Sequence, residues 1–172
     1  MKKVFWLCAL ACAGALLIAP AAPAGAGGFE VVEGEAFNKG FVSDFYLEGN
    51  SIPTQKRNTT MIKSADGRRM VFSLLDTSGY GADIQAKYVG MTIVEKPVTV
   101  GGISLAVGVY GFGLDKGEGD ASGKFHVYDV AGDKVGSGEA PHDAELAQPV
   151  PLQVKTAPAA TLYLGRYALP IK

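Results

Sequence analysis

Short apolar runs rich in Val, Ile, Phe, Tyr and Thr recur along this chain, each closed by a turn signal after about ten residues. A chain punctuated this often cannot build long helices. It can build strands, and its polar–apolar alternation says which side of each strand is buried. The pattern predicts an all-β fold: a single antiparallel β-sandwich or open barrel of about eight to ten strands with one short helix. The expected strands cover residues 29–32, 43–48, 59–63, 69–75, 90–95, 103–114, 124–130, 134–138, 151–155 and 161–169.

Three turns are strongly marked. Ala65-Asp66-Gly67 and Ala131-Gly132-Asp133 place glycine where a tight hairpin needs a positive φ. Val100-Gly101-Gly102 leads into the longest apolar run. Met70, Phe72 and Leu74 share one face of their strand, and Phe125 and Val127 oppose His126 and Tyr128. The run 103–114 is apolar on both faces and reads as one central strand. Gly108, Gly111 and Gly113 inside it point to a curved sheet or a barrel corner. Ala82 to Tyr88 carries good helix formers, with Asp76-Thr77-Ser78-Gly79 ahead of it as a capping segment. The Ala- and Pro-rich stretch 139–160 reads as an extended surface crossing.

The N-terminus has its own signature. Met1-Lys2-Lys3 is basic, the run from Val4 is apolar, and Ala24-Gly25-Ala26 offers the small residues of a signal-peptidase site. The apolar run is shorter than the roughly 20 residues a spanning helix needs. Residues 1–26 are therefore expected to be a cleaved Sec-type signal peptide, with Gly27 preferred over Gly25 as the new start. Residues 27–172 are expected to form a single β-rich domain in the periplasm, or secreted, of a bacterium. Both cysteines, Cys8 and Cys12, leave with the signal, so no disulfide or thiolate metal site is expected. Lys2 and Lys3 leave too, moving the net charge from −1 to −3. That balance excludes the basic footprint of a nucleic-acid binder. No permanent membrane anchor is expected after cleavage.

Chemical motifs are sparse. Leu74-Leu75-Asp76-Thr77-Ser78-Gly79 is similar to the aspartate segment of aspartic proteases. Here a serine is inserted before the glycine, and no second copy supplies the partner carboxyl. The loop Asp115-Lys116-Gly117-Glu118-Gly119-Asp120 lacks the acidic ladder of an EF-hand. His126 and His142, the two histidines, fit no zinc spacing, and Met61, Met70 and Met91 read as core. A Ser–His pairing would form in space, and the sequence gives no sign of one. No cofactor and no metal are expected.

Two sets of side chains remain. Lys56, Arg57, Lys63, Arg68 and Arg69 cluster in sequence, and seven tyrosines are spread over the strands. Lys56, Arg57, Arg68, Arg69, Tyr110 and Tyr128 are the expected ligand-binding residues, since cations and amphipathic rings suit an anionic or glycan ligand. The expected role is thus a non-catalytic binding or envelope accessory protein, its partner a small ligand or another envelope protein. The alternatives are a periplasmic hydrolase using Asp76 and a histidine, and a structural component that pairs through an edge strand, with 103–114 as donor.

Overall fold

The computed structural model describes residues 28–172, and the proposed signal segment lies outside them. Strands make up 51% and helices 9%, and all pairings are antiparallel, so the fold is all-β and sandwich-like. The described residues form thirteen strands and two short helices, more strands than the sequence suggests. The excess comes from the runs 103–114 and 161–169, each divided in two, and from a short strand at Val98–Val100 that the pattern does not mark.

The larger layer is one sheet. Its strands are β1 (Phe29–Val31), β3 (Asn50–Ser64), β4 (Arg69–Leu75), β5 (Gly90–Val94), β8 (Gly108–Asp115), β9 (Gly123–Tyr128) and β10 (Lys134–Ala140), neighbours in that order. β2 (Asp44–Leu47) pairs with the first part of β3. The smaller layer combines the hairpin β6 (Val98–Val100) and β7 (Ile103–Leu105) with β11 (Gln153–Lys155), β12 (Thr161–Leu164) and β13 (Tyr167–Pro170). Thr99 and Lys172 exchange both backbone hydrogen bonds, at 2.8 and 2.9 Å, and so stitch the hairpin to the end of β13.

Between the layers lies the main core. Ile62, Met70, Phe72, Val94, Phe112, Phe125 and Val127 from the large sheet meet Val100, Ile103, Leu162, Leu169 and Ile171 from the small one. The expected inward face of β4 and β9 is the observed one. Fully burying each such side chain is worth about 1.5–3 kcal/mol, so no disulfide is needed to hold the layers together.

The outer face of the large sheet has a second, smaller core. The β2–β3 hairpin folds over it and brings Phe45, Leu47 and Ile52 onto Leu75, Met91 and Tyr88. Helix α2 (Ala82–Lys87) covers the remainder through Ile84. Its N-cap is Gly81, with no side-chain cap. Asp76 does not cap it. Its Oδ1 instead accepts from the backbone N–H (3.2 Å) and hydroxyl (2.7 Å) of Ser78, in an exposed turn ahead of the helix.

Three features depart from expectation. Helix α1 (Gly34–Gly40) is absent from the sequence reading; it buries no residue, so no apolar stripe announces it. β3 runs far beyond 59–63 but is broken by a bulge at Gln55–Asn58, which shifts its register against β4. The run 103–114 is two strands in different layers, divided at Ala106-Val107. Its glycines answer to close approach rather than to curvature. A Cβ on Gly111 would lie 2.6 Å from the Tyr88 ring, and one on Gly113 2.3 Å from the Lys87 carbonyl. Both let α2 sit directly on the sheet. β8 is paired on both sides, to β5 and to β9, so it has no free edge to donate.

Candidate functional site

At one end of the sandwich the two layers separate and leave a cavity of about 510 Å³. Ligand cavities commonly hold ~300–1,000 Å³. Leu74 at the end of β4, Val89 after α2 and Leu114 at the end of β8 form one apolar wall. Leu164 and Tyr167, either side of the β12–β13 turn, form the other. Pro151 and His142 close it from the crossing between β10 and β11, and Lys116 and Arg166 supply positive charge.

The local sequence explains why this end is built rather than merely open. Gly165, at φ +62°, makes the tight turn between β12 and β13. Arg166 follows it and donates through Nη1 to the carbonyls of Asp143 (3.2 Å), Ala144 (2.8 Å) and Leu146 (3.1 Å). One guanidinium nitrogen thus fixes the loop that carries His142. The backbone adds Asp143 N–H to Arg166 O at 2.8 Å and Ala168 N–H to Pro141 O at 2.9 Å. The His142 ring stands edge-on to Tyr167, centroids 5.4 Å apart.

His142 itself is unusual. Its side chain is 10% exposed, and its buried Nδ1 has no hydrogen-bond partner; Asp120 Oδ1 reaches 3.4 Å without alignment. A buried polar atom left unpaired costs about 1–3 kcal/mol.

The residues expected to bind a ligand are not gathered here. Lys56 and Arg57 ride on the exposed β3 bulge. Arg69 lies opposite Lys63 at the far end of the same strand, with Arg68 in the turn before it, about 20 Å from Arg57 at ~3.3 Å per residue. Arg69 is already held by Glu95, with Nε and Nη2 at 3.0 and 2.6 Å from Oε1. Lys63 pairs with Glu30. Tyr110 packs against the main core and donates to Ala106 O at 3.1 Å, while Tyr128 packs against the second core on the opposite face. The six residues therefore make no common surface.

Tyr128 belongs to a clamp instead. Lys87 Nζ reaches Glu48 Oε1 at 2.5 Å and Gly132 O at 2.6 Å, above the Tyr88 and Tyr128 rings. Tyr88 donates to the same Glu48 oxygen at 2.7 Å. These two hydrogen bonds hold the Glu48 carboxyl below its ordinary pKa, and burial pushes the Tyr88 phenol upward. The clamp joins the β2–β3 turn, α2 and the β9–β10 turn; its groups satisfy one another.

A third cluster crosses β8, β9 and β10 on the outer face. His126 Nδ1 lies 2.8 Å from Ser137 Oγ, and its Nε2 lies 2.9 Å from Asp115 Oδ2. The histidine thus has a carboxylate partner, but it is Asp115 and not Asp76. His126 and Ser137 are direct cross-strand neighbours, a relation fixed by the β9–β10 register.

Comparison with protein-family models, curated proteins and solved structures finds no match for this chain. The site must therefore be read from its own chemistry.

Sequence reasoning missed His142, Lys116 and Arg166 as a group. They come from three separate loops, and only the β12–β13 pairing and the return of the chain beside Tyr167 bring them together.

Proposed function

We propose that this chain is an exported binding protein whose end cavity takes a small amphiphilic anion, with its apolar part between the layers and its anionic group among Lys116, His142 and Arg166. The single observation that carries this reading is the end cavity itself, about 510 Å³, with Leu74, Val89, Leu114 and Leu164 on its walls and Lys116, His142 and Arg166 at its polar side. Leu74, Val89, Leu114 and Leu164 suit a hydrocarbon chain, and opposite charge at the mouth suits a carboxylate, sulfate or phosphate group. The export assignment rests on the N-terminal 26 residues and is part of the proposal.

Titration with a fluorescent long-chain carboxylate tests it. Saturable binding is expected, lost when Leu164→Arg fills the cavity and weakened by Lys116→Glu. Arg57→Glu, on the distant bulge, should leave the affinity unchanged. Binding that ignores Leu164→Arg, or no binding at all, would rule the cavity out.

A further inference from the structure

We propose that Ser137, His126 and Asp115 form a second, chemical site, a serine nucleophile with its general base, that acts on carboxylic esters in the groove beside them. The groove has about 710 Å³ and is lined by Asp115, Lys116, Gly123, Lys124, Ser137 and Glu139. It lies on the outer face of the large sheet, away from the main core.

Each group is placed for its part. Ser137 is exposed on β10, so a substrate carbonyl can reach Oγ. His126 is 6% exposed, packed beneath the groove near Tyr128, with both ring nitrogens engaged. A carboxylate on Nε2 favours the tautomer protonated there, which leaves Nδ1 free to accept the Ser137 proton. That is the arrangement a general base needs, hydroxyl and nitrogen within ~2.6–3.2 Å. The ring is turned end for end relative to the usual serine-hydrolase order, but the proton path is the same. Two residues before His126 on the same face of β9 is Lys124, whose ammonium can offset charge developing on the carbonyl oxygen.

The flanking Gly136 and Gly138 have a different task. A Cβ on Gly138 would meet the Gly101 carbonyl at 2.2 Å, and one on Gly136 the Ile103 side chain at 2.8 Å. They seat β10 on the β6–β7 hairpin and fix the strand that presents Ser137.

The reaction balances without any added cofactor. Ser137 Oγ bonds to the ester carbon as His126 Nδ1 takes its proton. The C–O bond to the alcohol then breaks, and the alcohol leaves with that proton. Water attacks the acyl-serine, gives its proton to His126, and releases the carboxylic acid as Ser137 regains its hydrogen. Asp115 acts through the imidazole and is a positioning residue.

A small alkyl fluorophosphonate, which does not depend on the end cavity, tests the site on the full chain. Intact mass should show one covalent adduct per chain, mapped to Ser137 by peptide mass, and p-nitrophenyl acetate should be hydrolysed. Ser137→Ala should remove both while the protein stays folded, as its circular dichroism spectrum reports. His126→Gln should slow adduct formation at least ~100-fold. Asp115→Asn should slow it too, and Asp115→Glu should restore part of the rate. No adduct, an adduct that survives Ser137→Ala, or a rate indifferent to His126 would overturn the proposal whatever the cavity binds.

Discussion

Thr92 sits on β5 facing the main core, 2% exposed, and its hydroxyl has no hydrogen-bond partner. Valine has the same shape without the polar atom. Thr92→Val is therefore expected to stabilise the protein by about 1 kcal/mol, since an unsatisfied buried hydroxyl costs ~1–3 kcal/mol; urea unfolding measures it. Asp66 illustrates a charged residue at a turn. Its carboxylate accepts from the Ser64 hydroxyl, the Arg68 N–H and Lys96, which together hold its pKa at about 2. An unfolded aspartate titrates near ~3.9. The folded pKa is the lower one, so this stabilisation is fully present above about pH 4 and disappears as the pH falls toward 2. Replacing Asp66 with Asn should flatten the fall of the melting temperature across that window and leave the curve above pH 5 with a similar slope.

How an element is seated depends on its glycines. Gly113 lies directly under the Lys87 carbonyl, so Gly113→Ala must lift the end of α2 from the sheet. A loss of about 1–3 kcal/mol is expected, together with weaker hydrogen-exchange protection in α2; unchanged protection there would contradict this packing. The inward faces of β4 and β9 were legible in the sequence because Met70 and Phe72, and Phe125 and Val127, recur at a period of two, even though β4 also buries Val71, Ser73 and Leu75 on its outer face. The hairpins at Asp66-Gly67 and Gly132-Asp133 were legible because their glycines adopt φ of +80° and +92°. The division of 103–114 was not. Apolar character says that a segment is buried, and both layers bury their segments here. β3 extends back through Pro53, which pairs with Asp44 at the margin of the sheet, where a missing N–H is tolerated, and whose carbonyl accepts from Asp76 N–H at 2.8 Å.

Across the molecule, the end cavity lies beside the β12–β13 turn, whereas His126 and Ser137 lie within the β9–β10 pairing. The sequence marked single chemical residues, His126, His142 and the Asp115–Asp120 loop, but their neighbours are strand-register partners and loop contacts more than ten residues away. Asp115 and Ser137 flank His126 only because β8, β9 and β10 lie side by side. The cation cluster misled for the same reason: proximity in sequence along an extended strand is separation in space. What the whole fold adds is a largely apolar end cavity with His142 on its wall and two cations beside it. Native mass spectrometry of the protein isolated from its own cells reads that cavity most directly. A co-purified anionic amphiphile bound one to one is expected, released by Leu164→Arg, in a chain that begins at Gly27. A ligand-free mass in repeated preparations, or a bound species that Leu164→Arg does not displace, would contradict it.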